Sequence, residues 1–147
     1  MRVRDVMTRD PACATPETSL EAIARMMVQR DCGAIPVVGD CTTRQPIGMV
    51  TDRDIVTRAI ATGRDPMTMI AADVMTTPVA TIPDDASIRD CVHLLETSKI
   101  RRAIVVDAFN RCVGMISQGD IATHASKWRT GDLVREVSQP TDAAFAH

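Results

Sequence analysis

Apolar positions along the 147-residue chain fall into two series of short elements that follow the same order. Apolar residues recur every three or four positions after Ser19 and again after Ser87, which predicts one amphipathic helix in each series, capped by that serine. Two nearly continuous apolar runs follow each helix and predict buried strands. The predicted strands are 34–38 and 47–50 in the first series and 103–106 and 113–116 in the second. The pattern therefore predicts an α+β fold made of two β-α-β-β-α units.

Short motifs at matching positions show that the second unit repeats the first. The opening motif Asp-Val-Met-Thr occurs at 5–8 and 73–76. The closing motif, at 48–55 and 114–121, reads Gly, two apolar residues, a hydroxyl residue, two free positions, Asp and Ile. The offset between copies falls from 68 for the opening motifs to 66 for the closing motifs. The extra residues lie in the connection 39–46, which indicates a surface hairpin loop.

The closing motif leads from a strand directly into a helix. Thr51 and Ser117 are spaced to cap that helix, with Asp54 and Asp120 at its third position. Free N–H groups and the positive end of the helix dipole suit a polyhydroxylated, phosphate-bearing ligand. The same spacing is that of a capping box, which needs no ligand. Both interpretations remain open at this point.

Local signals predict the remaining elements and the boundaries. Thr18 with Glu21 predicts a capping box for the first helix, and Asp65-Pro66 predicts a short helix between the units. Trp128 is expected to pin the start of the tail to the body or to a second chain, with fraying after Ser138. Short extended pieces are expected at 12–15 and 79–82, and the second helix of each unit is expected at 52–62 and 118–126. The chain is expected to divide into a first unit (1–63), a linker (64–72), a second unit (73–126) and a tail (127–147).

Composition excludes several classes of protein. Hydrophobic residues make up 45% of the chain, which excludes a disordered chain. The 17 basic and 19 acidic residues leave no positive field for nucleic acid or membrane binding. Aromatic residues are only 2%, which argues against a base-stacking surface. Without a membrane-length apolar run or an apolar signal segment, a cytoplasmic location is expected.

The cysteines and other reactive residues form no catalytic or metal-binding pattern. None of the five cysteines stands in a C-x-x-C pair, and no histidine and carboxylate have ligand spacing, so no metal site is expected. No nucleophile–base pair or glycine-rich phosphate loop is present, so the protein is not expected to be an enzyme. Cys32 and Cys91 are expected in the core. Cys13, Cys41 and Cys112 lie in strand-end or loop contexts, and a redox role of Cys13 with Cys41 stays open.

The chain also contains Gly-Ala-Ile-Pro-Val-Val at 33–38 and Arg-Arg-Ala-Ile-Val-Val at 101–106. With the duplicated opening and closing motifs, these segments resemble the cystathionine-β-synthase (CBS) domain as a tandem pair, or Bateman module. The resemblance covers about 3–126 and is closest to stand-alone bacterial CBS proteins. It implies pseudo-two-fold packing, with AMP, ADP, ATP or S-adenosylmethionine in two clefts and no required cofactor. It also implies a homodimer that regulates an unidentified effector protein.

The resemblance also implies which residues bind the ligand. Asp54 and Asp120 would accept hydrogen bonds from the ribose hydroxyls, and Thr51 and Ser117 would contact ribose or phosphate. Each cleft would take its adenine wall from the unit opposite its Asp. That wall would be Thr15, Pro16, Cys32 and Gly33 in the Asp120 cleft and Ile82, Pro83, Ile100 and Arg101 in the Asp54 cleft.

The two units differ at the family's phosphate-binding positions. The second unit has Arg101 and Arg102 there, whereas the first has Gly33 and Ala34. The Asp120 cleft, assigned both guanidiniums, is therefore expected to prefer phosphorylated ligands, and the Asp54 cleft weaker, neutral or cationic adenosyl compounds or none. The alternative is a ligand-free stress or interaction protein, redox-responsive through Cys13 and Cys41.

Overall fold

The computed structural model describes residues 1–131, with side chains described as far as Lys127. The predictions for the Trp128 side chain and for the end of the tail lie outside this range. Short 3-10 turns lie at Val3–Asp5, Ile60–Thr62 and Pro66–Thr68. The helices are α1 (Leu20–Arg30), α2 (Asp52–Arg58), α3 (Ala71–Val74), α4 (Ile88–Thr97) and α5 (Gln118–Gly131); the strands are β1 (Thr8–Arg9), β2 (Ala34–Val38), β3 (Pro46–Thr51), β4 (Thr81–Pro83), β5 (Arg102–Val106) and β6 (Cys112–Ser117).

The strands form two sheets that face each other across a shared core. One sheet has the order β1-β6-β5-β4, and the other is the antiparallel hairpin β2-β3. Every residue of β2 is buried, because one face packs on helices and the other on the opposite sheet. The core between the sheets contains Ala34, Val38, Met49, Ile104, Val106 and Cys112. This shared core joins the two units into one packed body.

Each opening motif packs against the opposite unit. Strand β1 pairs with β6, and Thr76 forms a bridge with Met49 of β3. Val3 is fully buried in the core of the second unit, whereas Ala71 and Val74 lie in the core of the first. The two units are therefore interlocked through their N-terminal segments.

Glycine at the start of each closing motif makes this close pairing possible. A Cβ on Gly114 would lie 2.9 Å from the carbonyl oxygen of Thr8, and one on Gly48 would lie 3.2 Å from that of Thr76. Any larger residue would push the opening segment away from the strand. Gly48 and Gly114 are thus needed for the close packing of the opening segments and not for a turn.

The helix starts are partly as predicted. The Ser19 and Ser87 hydroxyls cap α1 and α4 by accepting backbone N–H groups three residues further on, at 3.1 and 3.0 Å. The predicted Thr18–Glu21 capping box is wrong. The Thr18 hydroxyl instead accepts the N–H of Thr15 at 2.9 Å. Ser19 is the residue with cap geometry, so Glu21 lies one position too early to complete a box.

Three predicted elements differ from the structure by more than two residues. The extended piece at 12–15 is reduced to a single bridge at Ala14, in a segment flanked by prolines that lack N–H donors. The predicted helix 52–62 ends at Arg58 and continues as a 3-10 turn. Helix α5 runs to Gly131 rather than ending at Ser126, because no glycine or proline lies between Asp120 and Thr130. Within residues 1–131, every helix is too short or too polar to cross a lipid bilayer.

Candidate functional site

The two closing motifs form the same reciprocal cap at the start of α2 and α5. The N–H of Thr51 donates to Asp54 Oδ2 at 2.9 Å, and the N–H of Asp54 donates to Thr51 Oγ1 at 3.1 Å. The corresponding bonds between Ser117 and Asp120 are both 3.0 Å. Capping therefore occurs in both copies and occupies one carboxylate oxygen of each aspartate.

The second carboxylate oxygen distinguishes the two copies. Asp54 Oδ1 lies 3.8 Å from Arg58 Nε, one helical turn along α2, and the Asp54 side chain is 13% exposed. Asp120 is half-buried, and within residues 1–127 its Oδ1 has no hydrogen bond or ion pair. Asp120 thus keeps a free acceptor beside a helix N-terminus.

Asp120 opens into a cleft between the units, which we call the Asp120 cleft. Its volume is about 370 Å³, within the range of small-molecule sites. The segment after β1, the end of α1 and the start of β2 form one side, and β5, β6 and α5 form the other. The lining residues are Thr8, Pro11, Ala12, Arg30, Asp31, Cys32, Gly33, Ala34, Ile35, Arg102, Met115, Ile116, Ser117 and Asp120.

Asp54 opens into a second cleft, the Asp54 cleft, built from equivalent elements. Its volume is about 640 Å³. The end of β3 and the start of α2 form one side, and the segments before β4 and β5 form the other. The lining residues are Met49, Thr51, Asp52, Arg53, Asp54, Thr76, Pro78, Val79, Ala80, Ile100, Arg101 and Arg102.

The structure brings together some of the predicted residues and not others. Cys32, Gly33, Ser117 and Asp120 line one cleft; Thr51, Asp54, Ile100 and Arg101 line the other. Four residues predicted as adenine wall line neither cleft: Thr15, Pro16, Ile82 and Pro83.

The chain reaches the clefts earlier than predicted. Pro11 and Ala12, and their counterparts Pro78 and Val79, form the walls instead. Ile82 lies in β4, and its side chain is buried in the core of the second unit, away from the cleft. A sequence signal for these residues exists, because Pro11 and Pro78 follow their opening motifs at nearly the same distance.

The two arginines assigned to the Asp120 cleft do not both reach it. Arg102 lines both clefts, whereas Arg101 lines only the Asp54 cleft, together with Arg53. Arg101 lies one residue before β5, whereas Arg102 is the first residue of β5, at the edge that the two clefts share. The second guanidinium of the Asp120 cleft belongs to Arg30, which donates to the carbonyl of Asp10 at 3.1 Å.

The charges of the two clefts therefore differ in the direction opposite to the expectation. The Asp120 cleft has two arginines and two aspartates, Asp31 and Asp120. The Asp54 cleft has three arginines and two aspartates, and Arg58 partly neutralises Asp54. The Asp54 cleft is thus the more positive of the two and the better suited to a phosphate group.

The cysteines are placed differently from several predictions. Cys91 is buried, as predicted, but Cys32 is exposed. Cys32 follows the left-handed residue Asp31 (φ 50°), which ends α1 and turns the chain toward the Asp120 cleft. The sulfur in contact with Cys13 is that of the buried Cys112, at 3.9 Å, and Cys41 is exposed in the hairpin loop.

Known proteins match the chain across both units. The family model of the CBS domain matches residues 3–60 and 71–127. The CBS domain-containing protein YhcV of Bacillus subtilis is 37% identical over 137 residues, covering 92% of this chain and 94% of the relative. Hypoxic response protein 1 of Mycobacterium tuberculosis is 32% identical over 137 residues, covering 93% and 94%.

Solved structures match the same fold. The crystal structure of Hypoxic Response Protein I with two coordinated zinc ions is 34% identical, with a TM-score of 0.73 over 84% of this chain and 98% of that chain. Within residues 1–131 of the present chain, no three His, Cys, Asp or Glu side chains are grouped to hold a metal ion. The CBS domain pair of protein MJ0100, in complex with 5-methylthioadenosine and S-adenosyl-L-methionine, is 23% identical, with a TM-score of 0.76 over 87% and 98%. At that identity the likeness shows the fold alone.

Proposed function

The chain belongs to the CBS domain family, and from this premise we propose that it is a regulatory module that binds an adenosine-type ligand between its two units. The ligand class is AMP, ADP, ATP or S-adenosylmethionine. The observation that carries the proposal is the Oδ1 of Asp120, which has no partner among residues 1–127 and lies beside a helix N-terminus in a cleft of about 370 Å³. A carboxylate in that position accepts hydrogen bonds from a vicinal diol such as ribose.

The walls of the Asp120 cleft suit an adenine ring. Pro11, Ala12, Cys32 and Ile35 present small or aliphatic groups on the side opposite Asp120. With so few aromatic residues in the chain, the base would be held by aliphatic contacts and by backbone polar groups. Ser117, whose hydroxyl caps α5, would also contact the sugar.

The two clefts are proposed to differ in the ligands that they take. The three guanidiniums of the Asp54 cleft favour a nucleotide with phosphates. The balanced charge of the Asp120 cleft favours an adenosyl compound without net negative charge, such as S-adenosylmethionine. MJ0100 is in complex with two adenosyl compounds, 5-methylthioadenosine and S-adenosyl-L-methionine; in this chain the charged residues of each cleft set the proposed preference.

Ligand occupancy is proposed to act through the arrangement of the units. Both clefts are lined by residues from both units, and Arg102 lines both of them. A bound ligand therefore restrains one unit against the other and couples the two clefts. We propose that a homodimer passes this change to an effector protein and that the module itself catalyses no reaction.

Substitution of the two aspartates by asparagine tests the proposal while preserving the caps. Asparagine keeps one oxygen for the cap but replaces the second oxygen with an NH2 group, which cannot accept from ribose. We expect Asp120→Asn to weaken S-adenosylmethionine, and Asp54→Asn to weaken ATP, each by at least about tenfold in isothermal titration calorimetry.

Asp73→Asn is the matched control, because Asp73 caps α3 through the same bond, with Ile70 N–H at 2.9 Å, and lines neither cleft. Its ligand affinities should equal those of the wild type. Absence of binding by AMP, ADP, ATP and S-adenosylmethionine at millimolar concentration would reject the proposal. That result would favour a ligand-free interaction protein.

A further inference from the structure

A pair of cysteines crosses the boundary between the two units. Cys13 lies just before the Ala14 bridge to β2, and Cys112 begins β6 of the facing sheet. Their sulfur atoms are 3.9 Å apart, although the residues are 99 positions apart in the chain. We propose that Cys13 and Cys112 form a redox-active dithiol, which closes to a disulfide between the units on reaction with a low-molecular-weight disulfide such as oxidised glutathione.

The hairpin loop 39–46 brings a guanidinium to this pair. Arg44 Nη2 lies 3.2 Å from the sulfur of Cys13, and its Nε donates to the carbonyl of Cys112 at 3.2 Å. The N–H of Cys112 in turn donates to the Arg44 carbonyl at 2.8 Å. Both the side chain and the backbone carbonyl of Arg44 are therefore hydrogen-bonded to Cys112, and this keeps the guanidinium charge beside the two thiols.

The surroundings favour one thiolate in the pair. The hydrogen bond from the Cys13 thiol lowers the pKa of Cys112, and the charge of Arg44 lowers it further against the effect of burial. The same hydrogen bond, together with burial, raises the pKa of Cys13, which keeps the shared proton. Asp10 is the acidic group that acts on Cys13 and opposes Arg44. A thiolate is the species that attacks a disulfide.

The reaction with a small disulfide RSSR balances in two steps. Because Cys112 is buried, its thiolate first takes the shared proton from Cys13 along the S–H···S bond. The half-exposed Cys13 thiolate formed in this way attacks RSSR, giving a Cys13–SR mixed disulfide and releasing RS⁻. Cys112 then loses its proton and attacks the Cys13 sulfur, releasing the second RS⁻. The two cysteine sulfurs are oxidised and RSSR is reduced. The two RS⁻ become two RSH by taking up the Cys112 proton and one proton from water. The sulfurs must approach from 3.9 Å to about 2.05 Å for the disulfide to form.

The disulfide would restrain the Asp120 cleft directly. Ala12, next to Cys13, lines that cleft, and so does Met115, three residues after Cys112 on β6. A covalent link between these segments fixes the distance across the boundary between the units. The dithiol therefore adds a chemical input that is independent of whether the clefts bind an adenosyl ligand.

Tryptic peptide mapping tests the proposal on the full-length protein. After incubation with oxidised glutathione and blocking of free thiols, trypsin places Cys13 in peptide 10–25 and Cys112 in peptide 112–127. Cys91 falls in 90–99, and Cys32 and Cys41 share 31–44. We expect a 10–25/112–127 crosslink from monomeric-mass protein that dithiothreitol removes.

Cys13→Ser and Cys112→Ser should each abolish the crosslink, whereas Cys41→Ser, which removes an exposed cysteine of the hairpin loop, should leave it unchanged. Three outcomes would overturn the proposal. They are a stable glutathione adduct on Cys13 without the crosslink, a Cys13 crosslink to peptide 31–44, or a crosslink found only between two chains.

The role of Arg44 has its own readout. Arg44→Gln should slow crosslinking at pH 7 by about threefold or more and move the rise of the rate with pH upward, because less thiolate is present. Arg111→Gln removes the same charge beside Cys112 in sequence, but Arg111 pairs with Asp107 instead of a thiol. Equal rates and equal pH profiles for wild type and Arg44→Gln would refute thiol activation by Arg44.

Discussion

At the scale of single residues, the two copies of one motif have become electrostatically different. Asp54 and Asp120 make the same cap, but only Asp54 has an arginine one helical turn further along, where the second copy has His124. Arg101 adds to the charge of the Asp54 cleft alone. Differences of this kind allow a duplicated module to bind two ligands of different charge.

A substitution at Arg101 separates phosphate recognition from recognition of the nucleoside. Arg101→Gln should weaken ATP at the Asp54 cleft by at least about tenfold, because a charge-assisted hydrogen bond is lost, and should leave adenosine unchanged. Calorimetric titration with both ligands measures the two effects. Arg30→Gln is the control, since Arg30 lines only the other cleft. An equal loss for adenosine and ATP would contradict a phosphate role for Arg101.

At the scale of elements, the glycines that begin the closing motifs control how the opening segments pack. A Cβ at Gly114 would meet both the Met7 sulfur, at 2.5 Å, and the Thr8 carbonyl, at 2.9 Å. The methionine can move, but the backbone carbonyl belongs to the β1–β6 pairing. The clash with the Thr8 carbonyl therefore decides how much stability a larger residue at this position would lose.

Gly114→Ala should lower the free energy of unfolding by about 1–3 kcal/mol, as expected for overpacking. Gly39→Ala is the control: a Cβ there meets nothing within 4 Å, so its effect should stay within about 0.5 kcal/mol. Urea denaturation of the three proteins measures the difference. A Gly114→Ala protein as stable as the wild type would show that the β1–β6 contact is looser than described.

The start of α1 offers a second test at this scale. Ser19→Ala removes the observed cap and should cost about 1 kcal/mol of stability. Glu21→Ala removes only an exposed pair with Arg25 and should cost less than about 0.5 kcal/mol. Urea denaturation compares the two variants. A larger loss for Glu21→Ala would restore the capping box predicted from the sequence.

At the scale of the whole molecule, the interlocked openings make the two units interdependent. Residues 1–9 begin the first unit in sequence, but Val3 and β1 pack on the second unit. Deleting residues 1–9 should therefore increase amide hydrogen exchange in β6 and α4 more than in the β2–β3 hairpin. Hydrogen-exchange mass spectrometry of the truncated and full-length proteins tests this. Increased exchange confined to the hairpin would show that the opening segment stabilises the unit to which it belongs in sequence.

Much of the architecture was predictable from the sequence because its signals are local. Helix periodicity, the Ser19 and Ser87 caps and the apolar strand runs all act between residues a few positions apart. Duplication of the motifs then indicated the tandem arrangement, and the facing apolar strands indicated a shared core. The closing-motif aspartates were identified on the same local grounds.

Only the tertiary structure decided how these elements meet. In the structure, each opening segment packs on the opposite unit, Pro11 and Pro78 line the clefts, and Arg101 lines the Asp54 cleft. It also placed Cys112, rather than Cys41, against Cys13. The physical reason is the same in each case: these arrangements depend on contacts between distant parts of the chain, which close packing selects and a local pattern does not encode.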